Sequence, residues 1–109
     1  MVSRELDKIT AQIVSMLRTH YAPERVILFG SHAHGIAQAD SDLDLLIIKQ
    51  TDERFIDRWV AVRRILSDPS RKFAIETLVL TPKEVSERVA RGDQFVADII
   101  ENGQVLYAA

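Results

Sequence analysis

Residues 26 to 48 constrain this chain more than any other stretch. They read Val-Ile-Leu-Phe-Gly-Ser-His-Ala-His-Gly-Ile-Ala-Gln-Ala-Asp-Ser-Asp-Leu-Asp-Leu-Leu-Ile-Ile. Two short, branched apolar runs, Val26 to Phe29 and Leu45 to Ile48, are bounded by turn residues. That pattern predicts two buried strands. Side chains on a strand alternate faces, so Asp42 and Asp44 point the same way, roughly 6.5–7 Å apart along the chain. Leu43 and Leu45 then turn to the core. Two carboxylates on one face at the mouth of a buried strand repel each other, and burying unpaired charge is costly. A divalent cation resolves both problems. An oxygen-rich site of this kind suits Mg²⁺, which takes one or two carboxylates plus substrate phosphates. The competing reading is a surface loop with an Asx turn that happens to carry acids.

The first half of the stretch fits the same chemistry. Gly30, placed directly after a strand, lets the backbone turn sharply and approach a ligand closely. Ser31 adds a hydroxyl and an amide. If residues 31 to 37 begin a helix, its free N–H groups favour an anion such as a phosphate over Gly30. One edge of this hairpin-like unit would then hold phosphate and the other metal.

Gly30-Ser31, ten residues, then Asp42-Leu43-Asp44 resembles the signature of the nucleotidyltransferase superfamily related to DNA polymerase beta. The text around it, Gly30-Ser31-His32-Ala33-His34-Gly35 and Ser41-Asp42-Leu43-Asp44-Leu45-Leu46, is similar to the small prokaryotic branch, the minimal nucleotidyltransferases. So are Val79-Leu80-Thr81-Pro82-Lys83-Glu84 and Asn102-Gly103-Gln104-Val105-Leu106-Tyr107. Each half of the signature lies beside an expected strand, the context the motif requires.

The resemblance implies a polymerase beta-like palm. This is an α/β (α+β) domain with a small mixed sheet, helices packed on one face and the site at one edge. It implies Mg²⁺-dependent nucleotidyl transfer, most simply of AMP from ATP, with one or two ions. Gly30 and Ser31 would bind the triphosphate. Asp42 and Asp44 would be catalytic and metal-holding. A third carboxylate of the family, usually aspartate, precedes text like Leu78-Val79-Leu80-Thr81-Pro82, and Glu76 stands there, longer by one methylene. Glu76 is either a third site residue or an ordinary strand-edge acid. Relatives often carry arginine at the position of His34, and histidine puts a fixed positive charge there in doubt at neutral pH. His32 and His34 either touch phosphate or are exposed loop residues. Such relatives often act with a helical HEPN-type toxin that they restrain, in some cases by transferring AMP to a tyrosine. That implies a protein partner and an antitoxin role. Two alternatives are a binding module that neutralises its partner by contact alone, and a drug-modifying enzyme acting on small molecules. The latter needs more acceptor-binding structure than 109 residues supply.

Length suggests a single domain over residues 1–109. A composition of 47% apolar and 28% charged residues is that of an ordinary globular domain. Cysteine is absent, which excludes disulfides, thiolate metal sites and a cysteine nucleophile. The N-terminus carries no apolar signal region, so a cytoplasmic location is expected. No apolar run reaches the roughly 18 residues of a membrane span. A net charge of −2 gives no support for general nucleic-acid affinity.

The remaining chain reads as alternating helices and strands. Leu6, Ile9, Ile13, Met16, Leu17 and Tyr21 form one stripe of a helix over 3–20, ended by Ala22-Pro23. A second helix is expected over about 53–66, capped by Thr51-Asp52, with Phe55, Ile56, Trp59, Val62 and Leu66 inward. Arg54, Arg58, Arg63, Arg64, Arg71 and Lys72 make this region locally basic. They form either a solvated face or a docking patch for an acidic partner or the triphosphate. Phe73 to Leu80 is the third strand. Thr81-Pro82-Lys83-Glu84 is a capping box with proline at the first helical position, which gives Glu84 a structural role. A last helix spans about 93–102, with Phe95, Val96, Ile99 and Ile100 inward and Gly103 closing it, before a short strand over 104–107.

Overall fold

The computed structural model describes residues 4–33, 42–71 and 74–109. Along the chain the elements are α1 (Arg4–His20), β1 (Arg25–Phe29), β2 (Leu43–Ile48), α2 (Phe55–Ile65), β3 (Ile75–Leu80), α3 (Pro82–Ala90), α4 (Gln94–Asn102) and β4 (Gln104–Ala108). The expected helix start at Ser3 and strand start at Phe73 fall outside the described residues.

The four strands form one mixed sheet in the order β3-β2-β1-β4. β1 runs antiparallel to both neighbours, and β2 runs parallel to β3. β2 therefore lies in the interior, and its sequence Leu-Asp-Leu-Leu-Ile-Ile is buried at every position except Asp44. A strand covered on both faces needs such a continuous apolar run.

Strand alternation divides the core in two. Val26, Leu28, Leu43, Leu45 and Ile47 face α1 and α2, where they meet Leu6, Ile13, Leu17, Val62 and Leu66. Ile27, Leu46, Ile48 and Leu80 face the other way, where they meet Val96 and Ile99 of α4 and Val85 of α3. The α/β class and mixed sheet are as expected, but the helices are not confined to one face. The second layer exists because α4 carries its own apolar stripe, and Ile27, Leu46 and Leu80 also need cover. Burying each such side chain fully contributes about 1.5–3 kcal/mol.

Two helices differ in detail from expectation. The N-cap of α2 is Arg54, with no side-chain cap bond. Thr51 instead accepts from the Glu53 amide at 3.1 Å, a turn ahead of the helix. Phe55 and Ile56, expected inward, are 46% and 53% exposed. The buried line of α2 is Arg58, Val62 and then Leu66, each one turn apart, and Phe55 and Ile56 fall off it. In α4 the buried pair is Val96 and Ile99, which leaves Phe95 57% exposed and edge-on to Phe29, with ring centroids 5.6 Å apart. The capping box of α3 forms as expected: Thr81 accepts from the Glu84 amide, and Glu84 from the Thr81 amide.

Arg58 is the unexpected member of the core. Its guanidinium donates to Glu84 at 2.6 Å and to the Glu53 carbonyl at 2.8 Å. It thus ties α2 to the start of α3. Among the described residues, no helix is long and apolar enough to cross a membrane.

Candidate active site

The acidic end of the sheet is built by register. Phe29 is the Cα partner of Asp44, and Asp44 is the Cα partner of Glu76. Phe29, Asp44 and Glu76 thus form one row across three strands, each step about 4.8 Å. Leu46, Ile48 and Leu80 belong to the α3–α4 core, and alternation puts Asp44 and Glu76 on that same face. Leu43 between Asp42 and Asp44 is fully buried on the opposite side. Asp42 and Glu76 are exposed, and Asp44 is half-buried.

Gly30 completes the row from the β1 side. Its φ is +77°, in the left-handed region that side chains rarely adopt. A β-carbon added there would lie 2.3 Å from Asp44 Oδ2. The carboxylate therefore occupies the space that any other residue would fill. Ser31 to Ala33 form a half-buried turn directly after it. The helix considered for residues 31–37 is a turn over 31–33, and its remainder, with His34, lies outside the described residues.

The electrostatics are unbalanced. The Asp44 carboxyl is pushed above its ordinary value by burial first, then by Asp42 and by Glu76, with His32 pulling the other way. Among the described residues, no lysine or arginine ion pair involves any of the three acids. The donors are hard oxygens of the kind Mg²⁺ takes, and a divalent cation would relieve the repulsion that burial intensifies. As the side chains stand, however, no three Asp, Glu, His or Cys residues among those described converge closely enough to hold a metal ion.

Among the described residues, the basic cluster is not part of this site: Arg54 is exposed and paired with Asp57, and Lys72 lies outside the described residues. Arg58 is buried in the Glu84 ion pair. Arg63, Arg64 and Arg71 line a cleft with Trp59, Ile75 and Thr77. Ile75 and Thr77 are the partners of Leu43 and Leu45, so the cleft opens on the α1–α2 face, opposite Asp44 and Glu76. That position separates the arginines from a triphosphate bound over Gly30, and the solvated-face and acidic-partner readings both stand.

Sequence reasoning missed the aromatic border of the site. Phe29 packs on the α3–α4 core beside Asp44, and Phe95 leans on it from α4. The only local signal was the position of Phe29 directly before Gly30-Ser31.

Comparison with known proteins bears on the same elements. The family described as Polymerase beta, Nucleotidyltransferase matches residues 11–109. A candidate nucleotidyltransferase from Sulfolobus solfataricus has a similar structure, with a TM-score of 0.59 and 25% identity over 73% of this chain and 70% of that one. A toxin–antitoxin structure with AMP-PNP also aligns with a TM-score of 0.59, at 17% identity, over 92% of this chain and 73% of that one. None of the curated proteins matches the chain at a comparable level of significance.

Proposed function

This chain belongs to the polymerase beta nucleotidyltransferase family, and on that premise we propose that it transfers a nucleoside monophosphate, AMP from ATP, to a hydroxyl of a protein partner. The observation that carries this reading is the row from Gly30 through Asp44 to Glu76. Phosphate, metal and acceptor would share one continuous face along such a row.

Each residue then has a task. Gly30 has no side chain to block the outer phosphates, and Ser31 offers its hydroxyl and amide to them. Asp42 and Asp44 would hold Mg²⁺, and Glu76 would complete the set or accept the proton of the acceptor hydroxyl. When bound, the metal neutralises phosphate charge and stabilises the in-line displacement. The acceptor oxygen bonds to the α-phosphorus, the bond from that phosphorus to the bridging oxygen breaks, and pyrophosphate leaves.

The partner we propose is a HEPN-type helical protein, with this chain as its antitoxin. The toxin–antitoxin neighbour supports that pairing. A contact-only antitoxin is the second reading. It is favoured by the three carboxylates that do not converge as they stand.

Intact-mass spectra of the cognate helical protein, incubated with this chain and Mg²⁺-ATP, decide between them. An added AMP on one hydroxyl-bearing residue, lost with Asp42→Asn/Asp44→Asn, supports transfer. Neutralisation with no mass change, in wild type and double variant alike, establishes the contact-only module.

A further inference from the structure

The cleft on the α1–α2 face has an open side. β3 lies at the end of the sheet, and among the described residues no strand pairs with its outer edge. The cleft between β3 and the C-terminal half of α2 measures about 700 Å³. Its rim carries Arg63, Arg64 and Arg71, with Asp68 as the opposing charge. Asp68 is already held by the Ser70 amide and hydroxyl at 2.9 and 2.7 Å. The rim is therefore cationic in a chain whose net charge is −2. The Thr77 hydroxyl, buried at the cleft wall, has no hydrogen-bond partner among the described residues.

We propose that an acidic, extended segment of a partner protein lies along the outer edge of β3, with the carboxylates of its alternate residues on Arg63, Arg64 and Arg71. An edge strand offers main-chain groups to an added strand, and alternate side chains of that strand reach the face beside it. Glu76 sits between Ile75 and Thr77 but faces the other side of the sheet. A segment seated here runs past the acidic row at its Glu76 end. On the transfer reading, that is where an acceptor hydroxyl is required; the docking itself does not depend on that reading.

A nucleic-acid strand fits less well. Its bases need an aromatic face to stack on. The Arg63 guanidinium already lies over the Trp59 ring, 4.7 Å from its centroid.

Fluorescence polarisation with labelled peptides of about nine residues, enough to span β3 and its flanks, tests the proposal without nucleotide. One peptide alternates glutamate and valine around a central tyrosine. A second replaces glutamate with lysine, and a third is N-methylated at alternate amides so that it cannot pair as a strand. A labelled oligouridylate serves as the nucleic-acid probe. The glutamate peptide is expected to bind at least about tenfold more tightly than the other three. Arg63→Glu with Arg64→Glu, both exposed positions, should lower that affinity by about tenfold or more with unchanged circular dichroism. Asp42→Asn/Asp44→Asn should leave it intact. Failure of every peptide to bind, equal binding of the glutamate and lysine peptides, indifference to the arginine changes, or oligouridylate binding that needs the same arginines would each overturn the surface. Peptide binding of this kind, together with no AMP added to the cognate helical protein in the intact-mass experiment, would remove the catalytic reading and keep this one.

Discussion

The Asp44 carboxylate fills the place where a Gly30 side chain would be: a β-carbon on Gly30 would come within 2.3 Å of Asp44 Oδ2. Glycine there does two things. It allows φ of +77°, and it lets β1 end against the acid of β2.

Gly30→Ala should therefore fail twice. The left-handed backbone costs an L-residue about 1–2 kcal/mol, and the new methyl must displace the Asp44 carboxylate. Urea denaturation should show at least that loss. Calorimetry should show weakened Mg²⁺-ATP binding in whatever fraction folds. An equally stable protein with unchanged nucleotide affinity would mean that the contact has no role in the site.

Asp44 predicts an unusual pH dependence. Its carboxyl is raised by burial, then by Asp42 and Glu76. A carboxyl raised in the folded state favours folding while protonated. Its contribution is fully present below the unfolded value of about 3.8 and is lost as pH rises through the higher folded value. In metal-free protein, Asp44→Asn should thus be more stable than wild type near neutral pH, with the gap closing in acid. Paired denaturation curves at about pH 7 and about pH 3.5 check the sign. A gap that persists unchanged in acid would assign the effect to packing instead.

Glu76 should separate rate from binding. If it takes the acceptor proton, its contribution falls in the transition state. Glu76→Gln should then cut transfer to the partner by about 10²–10⁴-fold with ATP affinity within about twofold. Near-normal turnover would leave Asp42 and Asp44 as a two-carboxylate site and Glu76 as a strand-edge acid.

Arg58 and Glu84 should behave as a structural pair. Burial acts to raise the Glu84 carboxyl, but hydrogen bonds from Arg58 and the Thr81 amide outweigh it and hold the group below its ordinary value. That stabilisation is present above the unfolded value and is lost as pH falls through the folded one. Arg58→Met should cost about 2–3 kcal/mol. This lies below the roughly 3–5 kcal/mol of a broken, fully buried pair, because the Glu84 side chain is 38% exposed and water screens it. Glu84→Gln, which keeps an acceptor for the Thr81 amide, should cost less. Equal losses in the two variants would contradict this division of roles.

The sequence by itself determined what local rules reach. The apolar runs at 26–29 and 45–48 are strands because branched residues between turn signals leave few alternatives. The box at Thr81-Pro82-Lys83-Glu84 starts a helix because its two side-chain bonds close within four residues. Alternation alone predicts Asp42 and Asp44 on one face. The tertiary structure decided everything that depends on which strand lies beside which. The pairing of β2 with β3 makes Glu76 the neighbour of Asp44. The end of β1 brings Gly30 against the same carboxylate. The second helix layer turned Phe95 outward and drew Arg58 inward. Of the basic residues that cluster in the sequence, Arg58 went to a buried ion pair and Arg63, Arg64 and Arg71 to a cleft on the opposite face. Helix and strand signals act over a few residues, whereas register and sidedness follow from burying whole faces against partners far along the chain.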